Sequence, residues 1–165
     1  NTSLKLKDQV CILKMLVKDK MDIKKSTEVK ENKSKHYYEY DRNIDLKYFK
    51  YSEFDSKDKK DSGMNMDKKF LVKLDYARHN ADCSFTITSG FRTPHQNRMV
   101  GGIENSSHTK IPCKACDIST PNSKIRYKIL KSLLEVGFSR IGIGKNFIHV
   151  DDDCEIPTQV VWDYY

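Results

Sequence analysis

Residues 139–151 read SRIGIGKNFIHVD, two short β-forming runs meeting at Lys145-Asn146. RIGIG and FIHVD each have strand length, and the polar pair after Gly144 suits a tight turn, so the stretch predicts a hairpin. Alternation within FIHVD sends Ile148 and Val150 to one face and His149 and Asp151 to the other. The apolar pair marks the core side, which assigns the His/Asp side to a cleft or to solvent. Hairpin-like spacing next to segments of helical period argues for an α+β domain, an antiparallel sheet flanked by helices.

The flanking sequence fills in that sheet. KACDIS, ending at Ser119, reads as another strand, with Ala115, Asp117 and Ser119 on one face and Cys116 and Ile118 on the other. FTITSG (85–90) is a short strand ending at a glycine turn, and VVWDY (160–164) supplies an edge strand. Two helices are expected. Asp67 is the N-cap of one, with Phe70, Leu71, Leu74 and Ala77 as its apolar stripe down to about His79. Thr120-Pro121 opens the other, with Ile125, Ile129, Leu130, Leu133 and Leu134 buried and Gly137 as its stop. Between them, residues 91–109 are loop-rich, with a helical turn around His95–Val100.

Ahead of this domain the character differs. Residues 1–35 contain ten lysines and five acids, so they carry five of the chain's seven net positive charges. Residues 3–20 have imperfect helical spacing, and 20–36 almost lack large apolar groups. Residues 1–44 are therefore set apart as a basic helix and linker, and 45–165 as the folded domain. The lysine-rich lead has no arginine and no interleaved aromatics, so specific nucleic-acid binding is not expected. A solvated linker, or attachment to an anionic surface, suits it better. No apolar run approaches the roughly 20 residues of a membrane span. Five cysteines without a regular framework argue against a disulfide scaffold.

The chemistry concentrates in SSHTKIPCKACD (106–117) and FIHVDDD (147–153). Two imidazoles and a carboxylate, His108, Asp117 and His149, suit a catalytic zinc ion, since three protein ligands leave a fourth position for water. A further carboxylate must take the proton of that water, and Asp151 lies on the same strand face as His149. Charge developing on an attacked carbonyl needs a fixed cation, for which Arg92 in the SGFRT turn is the candidate. Asp152 and Asp153 read as solvated loop acids, and His36, His79 and His95 fall outside the site.

From Tyr48 to Trp162 the order YFKYSEFDS, SGFRT, VGGIENSSHTK, ACDIS, GFSRIGIG, FIHVD resembles the M15 peptidases, the D-Ala-D-Ala carboxypeptidase family, closest to its small phage members. The resemblance implies a fold shared with the Hedgehog signalling domain and zinc held at His108, Asp117 and His149. It implies that Arg92 binds substrate and transition state. Ser106, the serine of the S-x-H motif, would support the ligands from behind or contact substrate. The implied substrate is the stem peptide or cross-bridge of bacterial peptidoglycan, cut by a phage-encoded enzyme acting at the cell wall. The basic lead would then tether it to the wall or to virion and tail proteins. Zinc binding without turnover, in a module that binds peptide or protein, is the rival expectation.

Two departures stand out. The family's metal loop runs H-x-x-G-x-A-x-D, but Ile111-Pro112-Cys113 replaces the glycine here and creates C-x-x-C at 113–116. Cys113 could thereby become an extra ligand, or both cysteines could simply be small buried apolar groups. Asn146 occupies the position, three before the last histidine, where many members place a general base.

Overall fold

The computed structural model describes residues 46–164, so the helix and linker expected before them lie outside the described residues. Five strands form one sheet: β1 (Ile87–Ser89), β2 (Ala115–Ser119), β3 (Arg140–Ile143), β4 (Phe147–Asp151) and β5 (Val160–Asp163). Their spatial order is β1-β2-β4-β3-β5. The expected hairpin is β3-β4, and β1, β2, β4 and β3 pair antiparallel as the sequence suggested. VVWD does form an edge strand, but it pairs parallel to β3. Residues 152–159 carry the chain back to the start of β3 instead of turning directly against it.

Among the described residues, three α-helices accompany the sheet: α1 (Lys68–Ala81), α2 (Pro94–Met99) and α3 (Ser123–Glu135). The Asp67 side chain caps α1 by accepting from the Phe70 backbone N–H. Asn122, and not the Thr120-Pro121 pair, caps α3, accepting from Ile125. That helix closes at Gly137, whose φ of +90° favours glycine. Gly137 N–H donates to Leu134 and Phe138 N–H to Leu133, which satisfies two terminal carbonyls. Leu134 is 50% exposed, a correction to the expected stripe, because Ser132 takes the buried position beside Ile129 and Leu133. No helix among the described residues is long and apolar enough to cross a membrane.

The core lies between the helices and the apolar sheet face. Phe70, Leu71 and Leu74 of α1 and Ile129 and Leu133 of α3 join Cys116, Ile118, Ile141, Ile148 and Val150 there. Phe49 and Phe54 fill the same cluster, so the aromatic run at 48–54 serves packing. The core thus claims one side of β2 and β4 and leaves Asp117 and His149 on the other.

Candidate metal centre

The β2–β4 register places Asp117 directly opposite His149. Such cross-strand neighbours bring their side chains together without any loop having to be placed. His149 Nδ1 lies 2.8 Å from Asp117 Oδ1. His108 comes from elsewhere, a 3-10 turn at Ser107–Thr109. Its Nε2 is 3.2 Å from His149 Nδ1 and 3.3 Å from Asp117 Oδ1. Among the described residues these three form the group of side chains able to share a metal ion.

The hydrogen bonds behind the two rings determine what they offer. His108 Nδ1 lies 2.7 Å from the Gly90 carbonyl, which can only accept, so the proton sits on Nδ1 and Nε2 presents a lone pair. His149 Nε2 lies 3.0 Å from Asp151 Oδ2, so a proton held there by Asp151 leaves Nδ1 free to bind a metal. Two nitrogen lone pairs and a carboxylate oxygen therefore face one another at 2.8–3.3 Å. Such a set repels itself unless a metal cation or a proton lies among its members. Tetrahedral zinc with bonds of about 2.0–2.1 Å separates its ligand atoms by roughly 3.3 Å, which matches the two His108 edges of the triangle, while the His149–Asp117 edge is shorter.

Burial amplifies these interactions. His108, Asp117 and His149 are only 3%, 8% and 6% exposed. Where protons take the place of a metal on the imidazoles, burial raises the Asp117 carboxyl pKa, but hydrogen bonds from both histidines overcome it and hold the group well below the usual range. Burial chiefly lowers His108 below an ordinary histidine. Burial also opposes charge on His149, but its bonds to Asp117 and Asp151 prevail and raise it.

The other site residues predicted from sequence take distinct places. Arg92 donates through Nη2 to Asp117 Oδ2 at 2.6 Å and through Nε to Ser89 Oγ at 2.7 Å. It therefore fixes the carboxylate oxygen that the histidines do not use. It also lines a pocket with Asp117, Ser89, Phe91, Gln96 and Phe147. Ser106 caps the turn, its Oγ accepting from the His108 backbone N–H at 3.3 Å. Asp151 does not face open solvent as alternation suggested, being 1% exposed. Its Oδ1 accepts from Arg140 Nε at 2.7 Å and from the Asp153 backbone N–H at 3.0 Å, while Oδ2 holds His149.

Residues 47–151 match the family model for Peptidase M15, well over half of the 165 residues. The chain belongs to the peptidase M15 family. No curated protein matches it.

This M15 chain carries its altered loop without disturbing the ligands. Ile111 projects into solvent, while Cys113 turns inward and is fully buried. The Cys113 backbone pairs with Asn65 and Asp67, anchoring the insertion in front of α1. Cys113 Sγ contacts the carbonyls of Ser107 and Ala115, and burial pushes its thiol up to about 12. Cys116 is likewise buried and raised, on the core face of β2. Both thiols are free, and neither joins the metal cluster.

Sequence reasoning missed Asp153, which is 5% exposed rather than solvated. Its carboxylate accepts from Ser107 Oγ at 2.8 Å and pairs with Lys110, tying the His108 turn to the end of β4. Its neighbour Asp152 pairs with Lys73 of α1 at 2.9 Å. Arg140 was also missed. Its partner Asp151 is across the hairpin, a pairing visible only once the β3–β4 register is known.

Proposed function

We propose that the chain is a zinc-dependent peptidase that hydrolyses peptide bonds of bacterial peptidoglycan, in the manner of a phage lysin. The observation that carries this reading is the convergence of two lone-pair nitrogens and one carboxylate oxygen within 3.3 Å, beside a pocket-lining arginine. His108 through Nε2, His149 through Nδ1 and Asp117 through Oδ1 would hold the metal. When bound, zinc supplies Lewis acidity that activates water toward a peptide carbonyl.

The chain's own residues do the rest. Arg92 commits Nε and Nη2 to Ser89 and Asp117, which leaves Nη1 for a substrate oxygen. A guanidinium held this rigidly is set to stabilise the negative charge that forms on the carbonyl oxygen as water adds to its carbon. Breaking the C–N bond then requires a proton on the departing amine. Asp151, the base suggested by the HxD pattern, reaches the site only past the His149 ring, given its burial. In this reading it acts mainly on His149, keeping the proton on Nε2 and Nδ1 free for metal.

The second reading, a zinc-bound module that recognises peptide without cutting it, draws on the same observation. Asn146 cannot titrate, and Asp151 is enclosed by Arg140, Asp153 and His149. Incubation of the zinc-loaded protein with purified peptidoglycan decides between the two. New amine termini that disappear with a chelator and in His149→Ala support the peptidase. Tight zinc binding with no released amines, across several wall chemistries, would reject it for the binding module.

A further inference from the structure

The edge strand β5 lies beyond the part of the chain matched by the family model. Its parallel pairing with β3 sets Trp162 opposite Gly142, and Gly142 is itself opposite His149 on β4. A Cβ at Gly142 would sit 2.7 Å from the Trp162 ring and 2.6 Å from that of Tyr164, closer than real contacts allow. The missing side chain is thus the slot through which β5 reaches the metal centre.

Within that slot the indole touches two partners. Its ring centroid is 5.6 Å from that of His149, and the Arg140 guanidinium carbon lies 5.2 Å from it. Arg140 bonds Asp151, and Asp151 bonds the Nε2 edge of His149. Arg140 also donates to the Pro157 carbonyl on the segment leading into β5. Trp162 therefore covers both ends of a guanidinium–carboxylate–imidazole chain. Excluding water from such a chain strengthens each of its hydrogen bonds and restricts rotation of the ring.

We propose that Trp162 is a positioning residue for the metal ligand His149, acting by direct packing and by shielding the Arg140–Asp151 pair that holds the ring's Nε2. This rests on the metal-binding half of the reading above. It does not depend on whether peptide is cut or which bond is chosen.

The test is Co2+ binding by the purified chain, measured by chelator competition without any peptide. Trp162 is the only tryptophan, so its emission also reports on the site directly. Trp162→Ala should weaken Co2+ binding ten- to hundred-fold, the usual cost of losing support behind a metal-bound histidine. Trp162→Phe keeps an aromatic face on Arg140 and His149 and should stay within about threefold of wild type. In wild type, tryptophan emission should fall as Co2+ is added and level off at one equivalent, and should not respond in His149→Ala.

Wild-type affinity in a folded Trp162→Ala would overturn the proposal. If that variant does not fold, Trp162→Phe and the wild-type titration decide. Emission that stays flat through saturating Co2+ would then reject it. Failure of wild type to bind Co2+ or Zn2+ would remove both the metal reading and this one. Absence of peptide cleavage, with the affinity loss in Trp162→Ala intact, would reject the peptidase and leave Trp162 in its role.

Discussion

The two histidines of the candidate metal centre are held by different means. His149 stands on β4, its position set by backbone pairing with β2 on one side and β3 on the other. His108 stands on a single 3-10 turn, and side chains and single hydrogen bonds keep it there. These are the Ser106 cap, Ser107 on Asp153, the Gly90 carbonyl on Nδ1, and the Arg92 N–H on the His108 carbonyl. All four lie outside Ile111-Pro112-Cys113, which itself adds one contact to the turn, Cys113 Sγ on the Ser107 carbonyl. That is why an insertion between two ligands leaves the ligand triangle intact, in keeping with the low entropic cost of added loop length. A strand-borne ligand tolerates loop change because the ladder carries it. A turn-borne ligand tolerates it where most of its anchors lie outside the changed segment.

This contrast can be broken most directly on the strand side. His149→Ala or Asp117→Asn should abolish stoichiometric metal binding, read by metal analysis after dialysis. Adding zinc should then no longer raise the melting temperature, as it should for wild type by mass action. An undiminished zinc-induced shift in either variant would exclude those residues as ligands.

The next largest effect is expected from Asp151→Asn. The amide can turn its oxygen to His149 but loses the charge that pairs with Arg140, so zinc affinity should drop about ten- to hundred-fold. If turnover falls while zinc affinity holds, Asp151 serves as the proton acceptor rather than as the support of His149. Chelator competition and kcat measured on the same preparation separate the two.

On the turn side, Ser107→Ala removes one hydrogen bond to a buried carboxylate, worth about 1.5–3 kcal/mol. Because Lys110 still pairs with Asp153, the lower part of that range is expected by urea denaturation. Zinc affinity should fall less than in Asp151→Asn, since three other anchors on the turn persist. A larger loss than in Asp151→Asn would reverse the proposed ranking of the two sides.

The smallest effect belongs to the insertion itself. Ile111 is 69% exposed and makes no part of the anchoring, so Ile111→Ala should change stability by no more than about 0.5 kcal/mol. Zinc affinity should be unchanged. A marked loss would mean that the insertion helps to place His108 after all.

Much of this site was legible in the residues. The period of two in FIHVD and ACDIS separated the ligand face from the core face, and pairing of the two strands then brought Asp117 and His149 together. Capping residues and apolar stripes located α1 and α3, apart from Leu134 and the start of α3. The misses differ in cause: Ser132 is buried by tertiary packing, whereas Asn122 is a preferred N-cap whose bond to Ile125 is local. Asp153 looked solvated because three successive acids ordinarily are, and its burial is made favourable by Ser107 and Lys110, both more than 40 residues away.

Local pattern, then, determined which residues face the site, because side-chain alternation is a property of the strand backbone alone. What the tertiary structure decided was the chemistry those residues present. The proton positions on the two imidazoles follow from Gly90 and Asp151, and the enclosure of Asp151 follows from Arg140 across the hairpin. The presence of Trp162 beside His149 follows from a parallel strand pairing and one missing side chain at Gly142. Apart from Asp151, which stands two residues from His149 on the same strand, these partners are distant in the chain, and their meeting is set by sheet register and core packing.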